Sequence, residues 1–296
     1  MRDKRMLMDE MLNQIRGIGG NVFGLALYHR GEWELGAVTQ ASPAQNCYSV
    51  TKSFTSTAIG ILWDEGKIAL DAPILSFFAG ELPARLDPRM ERVTVRHLLT
   101  HTTGLETGFL FEADRFGHGT DDWASLCLSQ PLPHEPGAFR AYSNSNYYLL
   151  SCIAHRITGA TLDEFARSKL FAPLKIEDYA WTACPRGETS GATGLYISAQ
   201  DMAKLAVMYM HGGQYEGRRV VSEEWSRMAT TEQEPGSGSS FSISVWDGGF
   251  SYGGAYEQIV LAYPPCDLAL GAHAFASGIP YAELFGKAIE ASAYER

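Results

Sequence analysis

Ser49-Val50-Thr51-Lys52 sets a hydroxyl and an amine three residues apart, a spacing that brings two side chains to one face of a helical backbone. A nucleophile and its base need that geometry. A serine hydroxyl attacks a carbonyl poorly unless a neighbour takes its proton, and Ser-Lys pairs are one known solution. Lysine accepts a proton only when neutral, so its pKa must fall from about 10.4 to near 7, a change of roughly 4 to 5 kcal/mol that burial or nearby positive charge supplies. The apolar helix face that follows Lys52 is a suitable place. With 7 lysines and 23 serines in 296 residues, about half an S-x-x-K match arises by chance. Alone, the pair reads better as a capped helix start with an exposed lysine.

Tyr142-Ser143-Asn144 lies in the loop-like run RAYSNSN, residues 140 to 146, ahead of an apolar helix over 147 to 154. A tyrosine is a second proton carrier, and an asparagine offers a donor and an acceptor to a substrate amide. The plainer reading is an N-cap, which Ser143, Asn144 and Ser145 all suit. Cys47, two residues before Ser49, lacks a neighbouring base and reads as a buried, inert thiol. His97 and His101 stand four apart, but Leu98 occupies the position where a zinc-binding H-E-x-x-H carries glutamate, so both are expected to be structural. No G-x-S-x-G is present, and the glycine pairs lack the lysine and spacing of a phosphate loop. No metal or cofactor is expected.

The elements that must hold these residues follow from periodicity. After an N-terminal helix, NVFGLALY (21 to 28) and WELGAV (33 to 38) read as a hairpin turning at His29, Arg30 and Gly31. Phe54, Ala58, Ile61 and Leu62 recur at helical spacing from 52 to 65, with Gly66 as the stop. The middle of the chain is helical and loop-rich, with Thr94 capping a helix through Leu99 and Thr161 with Glu164 forming a capping box. Ser198 with Asp201 opens a helix that ends at Gly212-Gly213, Ser222 starts a short one, and EPGSGSS (234 to 240) is a flexible loop. Residues 241 to 246, 258 to 263 and 268 to 275 read as strands, and 281 to 293 as a closing helix. The expected class is therefore α/β (α+β), an antiparallel sheet built from both chain ends and flanked by helices. Residues 1 to 69 and 196 to 296 form the sheet domain, residues 70 to 195 an inserted helical lobe, and the cleft between them is the expected place for a site.

Together the two motifs resemble the serine β-lactamase and penicillin-binding protein superfamily, whose elements are S-x-x-K, S-D-N and K-T-G. Y-x-N in place of S-D-N points to the class C β-lactamase and family VIII carboxylesterase branch. LWDEGKIALDAP (62 to 73), VTVRHLLTHTTGL (93 to 105) and GLYISAQDMAKLAVMYMHGGQYEGRRVVSEEW (194 to 225) also resemble stretches of that branch. The resemblance implies Ser49 as nucleophile, Lys52 as the base for acylation, Tyr142 as a partner in proton transfer and Asn144 as a substrate contact. It implies an oxyanion hole shared between Ser49 N–H and a backbone N–H on the strand of the third motif. There the chain departs from pattern: the matching stretch is FSYGGAYEQ (250 to 258), aligned as Tyr252-Gly253-Gly254 with Ala255 N–H as the second donor. Tyr252 is expected to keep a hydroxyl donor at this place while removing the cation that helps hold a substrate carboxylate. Gly253 and Gly254 let a substrate approach the backbone closely.

Composition narrows the rest. Apolar residues make up 45% of the chain, enough for a large core, and 34 acidic against 24 basic residues leave a net charge of -10 with no basic run. Neither nucleic acid nor an anionic membrane surface suits that charge, and a small molecule or peptide does. Five widely spaced cysteines suit reduced thiols. The first 20 residues lack an unbroken apolar stretch, so a cytoplasmic location is expected. That expectation, the missing third-motif cation and the chain's modest length favour an esterase-like hydrolase over cell-wall work. A non-catalytic acyl-binding sensor and a transacylase using the same residues remain the alternatives.

Overall fold

Alternating apolar residues near the start of the chain become the first hairpin, β1 (Val22–His29) and β2 (Glu32–Gly36). Arg30 and Gly31 turn it with φ of 49° and 87°, the left-handed pair that suits the twist of a tight hairpin. The computed structural model describes residues 4–39, 44–112, 114, 119–233, 236–275 and 278–293. It has two compact units: residues up to Val50, Pro173–Ala180 and from Leu195 onward in the first, Thr51–Ala172 and Trp181–Gly194 in the second.

In the first unit both chain ends share one antiparallel sheet, as expected. Its order is β2-β1-β11-β10-β9-β8, with β8 at Ser244–Trp246, β9 at Gly249–Gly254, β10 at Gln258–Tyr263 and β11 at Leu268–Ala274. Leu25, Leu27, Leu268, Leu270 and Ala272 face helices α1 (Lys4–Gly17) and α9 (Tyr281–Ala293). Leu7, Met8, Met11, Leu12 and Ile15 supply the stripe of α1 at helical spacing. A bulge between Val22 and Gly24 changes the strand's phase, so Val22 joins Leu25 and Leu27 on the same face.

The other face carries α7 (Ala199–Met210), capped by Ser198, whose hydroxyl accepts from Asp201 N–H. It lies close because Gly271 has no side chain: a Cβ there would sit 2.3 Å from the Ala199 carbonyl oxygen. Short strands complete this unit: β3 (Gln45–Asn46) pairs with β5 (Leu195–Ile197), and β6 (Gln214–Tyr215) with β7 (Arg218–Arg219). Ser222 caps α8 (Glu223–Ala229). Of the strand expected over 241 to 246 only Ser244–Trp246 forms, because Ser240 N–H donates to the Ile243 carbonyl at 2.8 Å and closes a tight turn first. Periodicity does not mark β9, since five of the eight residues from Gly248 to Ala255 are glycine or alanine, too small to mark a face, and only the family resemblance places the third-motif strand here. Of the loop expected over 234 to 240, residues 234 and 235 lie outside the described residues.

The second unit is helical: α2 (Thr51–Asp64), α3 (Val95–Thr100), α4 (Trp123–Leu128), α5 (Asn144–Thr158) and α6 (Leu162–Ala166), the last continuing into a π-turn over Arg167–Phe171. The two-residue strand β4, Ala180–Trp181, begins on the last residue of the first unit and ends on Trp181 of this one. α2 packs against α5 and α6, so it falls in this unit. Every residue from Thr51 to Leu62 is buried. Two of its buried hydroxyls are satisfied by carbonyls: Thr57 Oγ1 donates to the Ser53 carbonyl at 2.7 Å and Thr55 Oγ1 to the Gly191 carbonyl at 2.6 Å. Thr94 and Thr161 cap α3 and α6 as their sequence patterns predict.

Candidate active site

Pairing of β3 with β5, extended by Cys47 N–H to the Leu195 carbonyl at 2.8 Å, delivers the chain to a single 3-10 turn, Tyr48–Val50. Ser49 sits half-buried on this turn, which runs directly into α2. Tyr48 enters it with φ of 47° and donates its N–H to Asn46 Oδ1 at 2.9 Å. β9 packs against the same turn. A Cβ on Gly254 would lie 2.5 Å from the Cys47 carbonyl oxygen and 3.0 Å from Ser49 N. Gly254 is extended, with φ of -136°, so room and not backbone conformation demands the glycine. The third-motif strand thus brings the Gly254-Ala255 peptide beside the amide of Ser49. Gly253 and Ala255 are exposed.

Tyr252 corrects the sequence reading. On β9, Phe250 and Tyr252 face the core while Ser251 and Gly253 take the opposite side. The Tyr252 side chain is buried and its hydroxyl donates to the Met202 carbonyl of α7 at 3.0 Å. Burial holds its pKa well above the ordinary phenol value. A hydroxyl committed to a helix carbonyl in the core offers nothing to a substrate. β9 also carries no Lys or Arg.

In the helical unit, Lys52 is 1% exposed. Its Nζ donates to Asn144 Oδ1 at 2.7 Å and to the Ala192 carbonyl at 2.8 Å, and lies 4.8 Å from the centroid of the Tyr142 ring. The exposed-lysine reading of S-x-x-K is excluded. Asn144 opens α5, and its Nδ2 donates to the Leu110 carbonyl at 3.3 Å. Ser143 occupies the N-cap position but its hydroxyl accepts from Phe109 N–H at 2.9 Å, while the Phe109 carbonyl takes the N–H groups of Asn144 and Ser145. The start of α5 is therefore secured by the 109 segment, leaving Asn144 to hold Lys52. Tyr142 is 39% exposed, with one face against the His101 ring at 4.7 Å.

One contributor went unread in the sequence, and a second was read there only as structural. The first is the turn at Gly191-Ala192. Gly191 has φ of 63°, and a Cβ there would be 2.4 Å from the Tyr147 carbonyl oxygen, so this glycine seats the Ala192 carbonyl that Lys52 uses. The glycine-bounded run SGATG, 190 to 194, was its only mark. The second is His101, at the left-handed end of α3 with φ of 61°. Its Nδ1 accepts from Ser143 N–H at 3.2 Å and faces Asn146 Nδ2 at 3.3 Å. Its ring lies between those of Tyr142 and Tyr147. Burial, with the positive charges of Lys52 and Arg140, lowers its pKa well below the ordinary histidine value, so it stays neutral. His97, by contrast, closes the capping box with Thr94. Cys47 and the other four cysteines are buried free thiols. Among the described residues no group of three His, Cys, Asp or Glu could hold a metal ion, and no helix is long and apolar enough to cross a membrane.

The Beta-lactamase family profile matches residues 19–274. Protein Rv1367c of Mycobacterium tuberculosis is 32% identical over 181 residues, covering 54% of this chain and 41% of that protein. Esterase EstB of Burkholderia gladioli is 28% identical over 193 residues, covering 58% of this chain and 49% of the esterase. The chain thus spans less than half the length of either relative. An octameric penicillin-binding protein homologue from Pyrococcus abyssi has the same fold, with a TM-score of 0.77 at 19% identity over 97% of this chain and 77% of that one. With the profile running from the first hairpin to the end of β11, this chain belongs to the Beta-lactamase family.

Proposed function

We propose that the chain hydrolyses a small ester or amide through an acyl-enzyme on Ser49, with esters favoured. The observation that carries this reading is Lys52, an amine buried to 1% exposure and fixed by Asn144 Oδ1 and the Ala192 carbonyl, three residues along continuous helical backbone from Ser49. In acylation, Ser49 Oγ attacks the substrate carbonyl carbon as its proton passes to neutral Lys52. The resulting oxyanion takes hydrogen bonds from the N–H groups of Ser49 and Ala255, donors of a kind often worth about 3 to 4 kcal/mol in the transition state. Collapse breaks the bond to the alcohol or amine, which leaves with the proton from Lys52. Water then attacks the acyl-enzyme, giving its proton to the Lys52 and Tyr142 pair, and Ser49 is regenerated as the acid departs. Ester preference follows from β9, which lacks a cation for a substrate carboxylate.

Intact-mass analysis after fluorophosphonate treatment tests the nucleophile, comparing wild type with Ser49→Ala. Wild type gains one adduct and Ser49→Ala none, and short p-nitrophenyl esters turn over much faster than a chromogenic cephalosporin. Wild type that neither labels nor turns over any of these refutes the hydrolase reading and leaves an acyl-binding role. Rapid cephalosporin turnover without ester hydrolysis refutes the ester preference. Product analysis with an added alcohol or amine separates hydrolysis from transfer to another acceptor.

A further inference from the structure

Three aromatic rings flank the two proposed oxyanion donors, all within the sheet unit. Tyr48 immediately precedes Ser49, and Tyr256 immediately follows Ala255. Their ring centroids are 5.1 Å apart at 62°, and the Tyr256 ring stacks on Phe275 at 4.8 Å and 25°. Tyr256 is 52% exposed and Phe275 57%. Large rings left this open to water next to a reaction centre are unusual unless they meet something apolar.

The backbone holds them there against its own preference. Tyr48, Tyr256 and Glu257 have φ of 47°, 60° and 67°, left-handed values that bulky side chains rarely adopt and that persist only where surrounding contacts over-determine them. Those contacts are present. Gln258 Nε2 donates to the Tyr256 carbonyl at 3.2 Å and to the Ala274 carbonyl at 2.7 Å, tying both ring-bearing segments to one side chain. Glu257 Oε1 accepts Gly278 N–H at 2.6 Å, and Phe275 N–H donates to the Asn21 carbonyl at 3.0 Å. A turn that needed only to reverse the chain would place glycine or asparagine at these positions.

We infer that Tyr48, Tyr256 and Phe275 form a specificity surface for a planar, apolar group close to the scissile ester bond, so that the substrates are aryl-bearing esters. The inference rests on the hydrolase reading above. The planar group belongs either to the acyl half or to the leaving group, and both present the same flat face to the rings.

Three esters distinguish the sources: trifluoroethyl acetate with no ring, trifluoroethyl phenylacetate with the ring on the acyl side, and phenyl acetate with it on the leaving side. Tyr256→Asn removes the ring while suiting the left-handed backbone, and Tyr256→Phe retains it. For one aryl ester, Tyr256→Asn loses about tenfold in kcat/KM relative to its effect on trifluoroethyl acetate, equivalent to about 1.4 kcal/mol. Tyr256→Phe stays within about twofold of wild type on all three. The aryl ester that responds identifies the half that meets the rings. An equal loss on all three esters, or no loss on any, overturns the inference while hydrolysis itself stands. If wild type cleaves none of them and Ser49 takes no fluorophosphonate, the hydrolase reading falls and the specificity surface falls with it.

Discussion

Lys52 and Asn144 are coupled through a 2.7 Å hydrogen bond between buried side chains, with exposures of 1% and 8%. Asn144→Leu removes the oxygen and leaves the amine its hydrogen bond to the Ala192 carbonyl at 2.8 Å. Leaving one partner of a buried hydrogen bond unsatisfied costs about 1 to 3 kcal/mol. Because one acceptor remains, we expect a loss of about 2 kcal/mol. Lys52→Met strands Asn144 Oδ1 and the Ala192 carbonyl and costs a similar amount. In the double variant the orphaned pair is gone, and apolar replacement of both partners is far less costly than removing either. The two single losses should therefore exceed the double loss by about 2 kcal/mol, read from urea unfolding followed by fluorescence and circular dichroism together. Additivity to within about 0.5 kcal/mol, the range of sites that do not interact, refutes the claim that Asn144 holds the lysine.

Three further perturbations probe neighbouring parts of the site. Gly254→Ala forces a Cβ against the Cys47 carbonyl oxygen at 2.5 Å and Ser49 N at 3.0 Å, so the fluorophosphonate labelling rate should fall by roughly 100-fold or more as the oxyanion donors part, with unfolding stability lowered by about 1 to 3 kcal/mol. Gly191→Ala meets the Tyr147 carbonyl oxygen at 2.4 Å from a left-handed backbone; displacing the Ala192 carbonyl from Lys52 should lower the melting temperature and slow labelling, and an unchanged rate would argue that this carbonyl is dispensable. His101, held neutral by burial, cannot take up the proton that the unfolded chain binds below about pH 6.5. Stability should fall as pH drops below that value, by up to about 1.4 kcal/mol per pH unit, and the difference between wild type and His101→Gln in urea midpoints from pH 8 to 5 isolates this slope.

Much of the architecture was legible because it is written in short-range patterns. Thr94, Thr161, Ser198 and Ser222 each stand where a helix begins, since capping depends on residues two or three positions away. The hairpin, β10, β11 and the closing helix follow from alternation or helical spacing of large apolar side chains. Where side chains are small the pattern vanishes, which is why periodicity does not mark β9, the strand that meets Ser49, and only the family resemblance places it. The direction of Tyr252 was out of reach for the same reason. Once β9 is a strand, its alternation turns Tyr252 to the core beside Phe250, and Met202 on a helix some 50 residues earlier takes its hydroxyl.

The sequence by itself singled out Ser49, Lys52, Tyr142 and Asn144, the residues we propose for the chemistry, because their types and order resemble the motifs of a family whose profile covers residues 19–274. It also determined the class of the fold. Only the tertiary structure decided that Lys52 is buried and which groups hold it, since Asn144 and Ala192 lie 92 and 140 residues further along the chain. It alone decided that Gly254 lies against Ser49 and that Tyr256 stands beside Phe275. Such contacts depend on long-range packing, and no spacing within a single segment encodes them.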